Sequence, residues 1–276
     1  MTSTLSTPTT DLAALKQRQQ QTWASGDYSA IAARIVLVAE HLCDTADLRA
    51  GWHVLDVATG SGNAAIAAAR HGCDVVGIDY VPSLLERGRA RAEAEGLPVS
   101  LLEGDAEALP FADRTFDAVV SVFGSMFAPD HGRTAAEMLR VTRSGGTIAL
   151  ASWTPEGFIG QLFRTVAAHV PPPAGVQSPL LWGTEAHLRE LFGEGLTSLD
   201  VTERMFTFRF RSPEDFVDFF RTRYGPTLKA FAALAEDDAR AALERDLVEL
   251  VRRFDRLDGG AVAIPSGYTE AIAVTR

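Results

Sequence analysis

Five short runs between residues 54 and 152 are nearly all apolar: Val54–Val57, Val75–Asp79, Val99–Glu103, Ala118–Phe123 and Thr147–Ser152. Continuous apolar runs of this length predict strands covered by helices on both faces, because a sheet with one wet face alternates apolar and polar positions. Between them the pattern turns helical, over about 63–71, 82–95 and 133–142, and two further helices, about Leu12–Ala24 and Ser29–Leu42, precede the first strand. Such alternation predicts an open α/β sheet, mostly parallel, with its ligand crevice at the carboxyl ends of the strands.

The second half reads differently. A helix at Phe158–His169, a Pro171-Pro172-Pro173 turn and a helix at Thr184–Phe192 lead into a strand over Leu199–Phe210, in which Phe206, Phe208 and Phe210 alternate with polar residues. From Pro213 to Leu257 the spacing is helical, with Leu243, Leu247, Leu250, Val251 and Phe254 on one face. A last strand runs over about Tyr268–Val274. This pattern predicts three parts. Residues 1–48 form N-terminal helices, residues 49–211 and 261–276 form the sheet core, and residues 212–260 form a helical insertion that caps the crevice. The tract Thr2–Thr10 is rich in Ser and Thr and is expected to be mobile.

The first strand ends in Ala58-Thr59-Gly60-Ser61-Gly62 and opens directly into an Ala-rich helix. Glycines there let backbone approach a ligand closely, and the helix aims its free amides at it. The second strand ends in Asp79, where a carboxylate can accept both hydroxyls of a ribose. A nucleoside cofactor is the first expectation. A dinucleotide fingerprint would need a third glycine, but Ala64 and Ala65 follow Gly62. The acid Asp56 at the strand end would repel a pyrophosphate and suits the cationic amino group of a methionine moiety. Charge therefore favours S-adenosyl-L-methionine (SAM) over a nicotinamide dinucleotide.

Four segments together are similar to the class I SAM-dependent methyltransferases, and within them to the quinone-methylating and related type-11 small-molecule enzymes. They are Val54–Asn63, Gly77–Tyr80, Glu103–Phe111, and Phe116–Ser125 with Glu137–Gly146. The resemblance spans about residues 50–153. It implies a Rossmann-like sheet of seven strands, mostly parallel with the last antiparallel, and helices on both faces. It also implies site roles. Asp56 would lie under the methionine end of SAM, with the amides around Ala58, Gly60 and Gly62 lining its chain. Asp79 would take the ribose, Tyr80 would flank the adenine, and Asp105 with the backbone of Ala106 would meet the adenine edge. Ser121 and Phe123 would border the carboxylate and the transferring methyl, and Tyr28 would fold over the cofactor, leaving S-adenosyl-L-homocysteine as product.

The acceptor is less constrained. No Asn/Asp-Pro-Pro-aromatic motif follows Ser121, and no cysteine stands where a cytosine C5 enzyme needs its nucleophile. Large apolar residues in and before the cap predict a small hydrophobic substrate, with Met126, Phe127, Trp153, Phe158, Trp182, Phe220 and Tyr224 as candidate walls. Two chemistries compete. A carboxylate, such as that of a medium-chain fatty acid, needs only cations such as Arg221, Arg223 and Lys229. A hydroxyl or a quinol carbon needs a general base, for which His131 is the best-placed histidine, ahead of His169 and His187. The expectation leans to O-methylation, with ring C-methylation close behind and a non-catalytic SAM sensor as the reading of another class.

Composition narrows the partners. The formal charge of −10 and a pI near 5.1 argue against a nucleic-acid substrate. Cys43 and Cys73 form no CxxC pair, so neither a metal nor a redox motif is expected. Residues 1–11 lack the basic and apolar regions of a signal peptide and no apolar run is long enough to span a bilayer, which predicts a cytoplasmic protein. The Pro171–Trp182 segment and the alternating Phe206–Phe210 strand are candidate contact surfaces for a homodimer.

Overall fold

A computed structural model describes residues 12–173 and 176–276, so the Thr2–Thr10 tract lies outside the described residues. Three helices come first, α1 (Leu12–Trp23), α2 (Tyr28–Arg34) and α3 (Val36–Thr45). The expected Ser29–Leu42 helix is thus two, broken at Ile35, whose φ of −106° and ψ of 16° leave the helical range. Alternation follows through β1 (His53–Val57), α4 (Asn63–Arg70), β2 (Asp74–Asp79), α5 (Pro82–Ala94), β3 (Val99–Glu103), β4 (Phe116–Val122), α6 (His131–Val141) and β5 (Thr142–Trp153). Then come α7 (Phe158–His169), α8 (Glu185–Phe192), β6 (Leu196–Phe210), the helices α9 (Pro213–Arg223), α10 (Gly225–Ala233) and α11 (Asp237–Phe254), and β7 (Val262–Thr275).

The seven strands form one sheet in the order β3-β2-β1-β4-β5-β7-β6. Pairing is parallel from β3 to β5, while β7 runs antiparallel to both β5 and β6. This is the Rossmann-like sheet implied by the sequence. Central strands are sealed on both faces: Val54, Leu55, Ala118, Val119, Ile148 and Ala149 are all fully buried. Order reverses between β1 and β4, so the carboxyl ends of these two strands flank the crevice where open α/β sheets bind ligands.

The helical stretch from Pro213 is three helices between β6 and β7. Pro226 stands in the first turn of α10, where a missing N–H costs nothing. The phenylalanines of β6 face this layer: Phe208 lies 5.9 Å from Phe220, and Phe210 lies 5.1 Å from Phe216, centroid to centroid. Phe208 and Phe210 are buried under this layer, and Trp182 is buried elsewhere, against His131 and Phe192. No helix among the described residues is long and apolar enough to cross a membrane.

Candidate functional site

The carboxyl ends of β1 and β4 are held in unusual backbone. Ala58 and Phe123, the residues just past the two strands, have φ of 54° and 55°, a region side chains other than glycine rarely enter. They meet across Gly124, where a Cβ would collide with the Ala58 carbonyl. Strain of this kind survives only where surrounding contacts over-determine it, and it concentrates at binding sites. Here Phe123 is fixed by stacking on Trp153, with ring centroids 3.8 Å apart and planes within 2°.

The acid at the end of β1 builds the turn rather than the cavity wall. Asp56 is buried, and its Oδ2 accepts from Thr59 Oγ1 at 2.5 Å and from the Ala65 amide at 2.8 Å. It therefore fastens the glycine turn to the first turn of α4, and burial raises its pKa to about 7. Gly62 likewise opens α4 with φ of 84°, away from the cavity. Ser121 donates from Oγ to the Val57 carbonyl and accepts from the Ser125 amide, tying β4 to β1. Asp56, Gly62 and Ser121 thus stand behind the wall of the larger cavity rather than in it, where their hydrogen bonds hold the turn and the two strand ends.

The other eight expected cofactor residues converge. Tyr28, Ala58, Gly60, Asp79, Tyr80, Asp105, Ala106 and Phe123 all line one cavity of about 300 Å³. Asp79 is 6% exposed, accepting from the Gly60 amide at 2.8 Å and the Val81 amide at 2.9 Å. Burial, against these hydrogen bonds, raises its pKa to about 6. Helix α1 roofs the cavity. Lys16 bridges Asp105 (2.6 Å) and Glu107 (2.5 Å), Gln20 donates to the Tyr80 carbonyl, and Trp23 packs edge-on against Phe127. Sequence reasoning missed Lys16 and Gln20, because nothing in a Gln-rich helix marks which face meets a ligand, and Glu107, whose partner Lys16 is distant in sequence.

A second, narrow chamber of about 20 Å³ adjoins the first and shares Tyr28, Phe123 and Phe127 with it. Eight of its eleven lining residues are aromatic and the other three are isoleucines. Of the expected acceptor walls, Phe127, Trp153, Phe220 and Tyr224 line it. Met126, Phe158 and Trp182 do not; each is fully buried, with Phe158 packed between Phe216 and Phe254, and Trp182 against His131 and Phe192.

His131 is corrected too. It is 1% exposed, lines neither cavity, and its Nδ1 lies 3.0 Å from His187 Nε2. Burial, and the second imidazole after it, lower its pKa to about 4. A base must reach the proton it takes, and this one is walled off. His169 pairs instead with Asp246. The cap cations also point elsewhere: Arg221 pairs with Asp218 and Glu244, Arg223 with Asp27, and Lys229 is exposed.

Residues 54–146 match the family model described as a methyltransferase domain. Over 255 residues the chain is 41% identical to an uncharacterized protein of Mycobacterium tuberculosis, covering 91% of this chain and 93% of that one. It is also 37% identical over 164 residues to a demethylmenaquinone methyltransferase of Thermus thermophilus, covering 54% of this chain and 74% of the relative. The chain belongs to the class I SAM-dependent methyltransferases. Solved structures share the fold of this methyltransferase. YcgJ of Bacillus subtilis aligns with a TM-score of 0.59 at 20% identity, over 86% of this chain and 97% of that one. A geranyl diphosphate methyltransferase in complex with SAM aligns at 0.51 and 20%, over 87% and 85%. SAM is the cofactor of this methyltransferase.

Proposed function

We propose that the larger cavity holds SAM and that the aromatic chamber beside it receives a small, uncharged, apolar acceptor. The convergence of Asp79, Tyr80, Asp105 and Ala106 on one cavity carries the first half of this reading. Gly60, with φ of 56° and a Tyr28 ring 3.5 Å from where its Cβ would stand, supplies the close backbone approach a cofactor needs. When bound, SAM supplies an already activated methyl group. What remains for the protein is alignment and exclusion of water. Asp79 would accept the ribose hydroxyls, and Asp105, once released by Lys16, the adenine amine. The α1 roof would keep water out.

The chamber's lining supports an uncharged acceptor. A carboxylate moved into a wall of aromatic and isoleucine side chains without a cation is strongly disfavoured. The cations that could have steadied it are paired or exposed on the surface. To admit an acceptor the chamber would widen by a shift of the Phe127 and Tyr28 rings, Phe123 being held on Trp153. The demethylmenaquinone methyltransferase relative is named for a quinone acceptor, which fits such a chamber. The test is incubation of the purified protein with methyl-deuterated SAM and a panel of fatty acids, phenols and quinols, read by mass spectrometry. Label on a neutral ring compound supports the reading. Label on fatty acids alone refutes the uncharged acceptor, and absence of SAM binding in calorimetry refutes the cofactor site.

A further inference from the structure

Two tyrosines stand out in a chamber with no other titratable side chain in its wall. Tyr28 comes from the first turn of α2 and Tyr224 from the junction of α9 and α10, and their ring centroids are 6.5 Å apart. Among the described residues, burial and nearby charge, not a hydrogen bond, act on both hydroxyls. Burial raises the pKa of both, Tyr28 further through Asp79 and Tyr224 through Tyr28 itself. Both therefore remain protonated near neutrality and can only donate to an anion.

The pair is assembled by a contact between the N-terminal helices α1 and α2, which form a lid, and the cap helices α9 and α10. The Asp27 amide donates to the Arg223 carbonyl at 2.9 Å, and the Asp27 carboxylate binds both Arg223 and Arg87. Glycine stands on each side of this seam. A Cβ on Gly26 would lie 2.6 Å from the Arg223 carbonyl oxygen, and one on Gly225 would lie 3.1 Å from the Ser25 carbonyl oxygen and closer still to that of Thr22. Trp23 completes it, 5.5 Å from Tyr28 and 5.6 Å from Tyr224. The two hydroxyl-bearing rings are thus brought together only where lid and cap meet.

We propose that Tyr28 and Tyr224 form a two-donor site for the oxygen of a phenolic or quinolic acceptor, stabilising its anion in a chamber that contains no general base. The inference rests on the aromatic chamber being the acceptor site. The acceptor's hydroxyl proton leaves to water, assisted by the two donors, which replace the hydration its oxyanion gives up. The phenolate electron pair, on oxygen or on a conjugated ring carbon, forms the bond to the methyl carbon, and the carbon–sulfur pair stays on sulfur. Attack through carbon also releases that carbon's proton to water. An ordinary aliphatic alcohol or a protonated amine lacks the acidity to manage this without a base, and a carboxylate must enter the apolar chamber already charged, whereas a phenol enters neutral and ionises only beside the two donors. Acidic ring hydroxyls remain.

The test uses 4-nitrophenol, whose anion absorbs in the visible, titrated spectrophotometrically against the protein saturated with S-adenosyl-L-homocysteine. Bound probe is expected to ionise at lower pH than free probe, with the anion fraction up about tenfold at a pH below its free midpoint. Tyr224→Phe should abolish most of that shift while SAM binding, measured by calorimetry, stays within about twofold. Tyr28→Phe should reduce the shift as well. In parallel, deuterated SAM should label phenols and quinols but not the matched benzoates. An unshifted probe, a shift that survives both substitutions, or benzoates labelled as fast as phenols overturns the proposal. So does SAM binding with no phenol or quinol labelled, and that outcome leaves the cofactor site standing. Loss of SAM binding by the unaltered protein would instead refute the cofactor reading beneath it.

Discussion

The seam between lid and cap can be opened with one methyl group. Gly225→Ala puts a Cβ against the backbone of Thr22 and Ser25, and backbone, unlike a flexible side chain, cannot swing away. Two effects compete. Alanine has the better helix propensity, worth up to ~1 kcal/mol in a helix interior and less in the first turn, where Gly225 sits. Forcing an extra carbon into packed backbone costs ~1–3 kcal/mol. The clash should win, leaving the protein less stable by about 1–2 kcal/mol in urea titration. The sheet and its strands are remote from the seam and should keep their cooperativity. SAM affinity, measured by calorimetry, should fall roughly tenfold, equivalent to ~1.4 kcal/mol, because α1 and Tyr28 are displaced from the cofactor cavity. A Gly225→Ala protein as stable as its parent, with unchanged SAM affinity, would refute the idea that this seam holds the site together.

Other perturbations test separate parts. Asp79 has a pKa of about 6, so if its carboxylate holds the ribose, SAM affinity should fall by at most tenfold per pH unit below that value; Asp79→Asn should weaken binding by ~1–3 kcal/mol and flatten the profile. His131→Phe should change kcat far less than the ~10²–10⁴ that loss of a general base costs. The same variant tests the buried imidazole. Its folded pKa of about 4 lies below the unfolded value, so its stabilising effect is complete above about pH 6.5 and is lost as pH falls towards 4. Urea midpoints over that window should therefore decline less in His131→Phe than in the parent, by up to ~2–3 kcal/mol, any opposing trend from Asp56 and Asp79 being common to both proteins. Lys16→Met should speed release of SAM in stopped-flow experiments, since with Asp105 turned to the adenine the ammonium still ties α1 to Glu107; an unchanged rate would mean that the roof is held by Gln20 and Trp23 alone.

Much of the fold was legible because its signals are local. Each buried parallel strand is an apolar run a few residues long, and Gly60 and Gly62 mark a turn wherever they occur in such a setting. Antiparallel β7 was seen too short, at Tyr268–Val274 instead of Val262–Thr275, because Pro265, Ser266 and Gly267 interrupt its apolar pattern. At the site, Asp79, Tyr80 and Asp105 could be read because each follows directly from a strand end. The misplaced residues failed for one shared reason. His131, Phe158 and Trp182 were weighed by type and by nearness in sequence to the crevice, but which side of α6, α7 or the loop before α8 faces it depends on packing against α8, α9 and α11. Nor does any local pattern announce that Lys16, far along the chain from Glu107, will lie against it.

The arrangement of the two chambers bears on the rhythm of the catalytic cycle. They share the Tyr28, Phe123 and Phe127 rings, and residues of the seam line both, Trp23 and Tyr28 the larger, Tyr28 and Tyr224 the smaller. If opening this seam is the route out of both chambers, the two products do not have independent exits. Turnover would then be governed by one common opening event, with the first methyl transfer outrunning all later ones. In a rapid-quench experiment that asymmetry is a burst: one equivalent of methylated product per protein molecule, followed by a slower steady accumulation set by the parting of lid from cap.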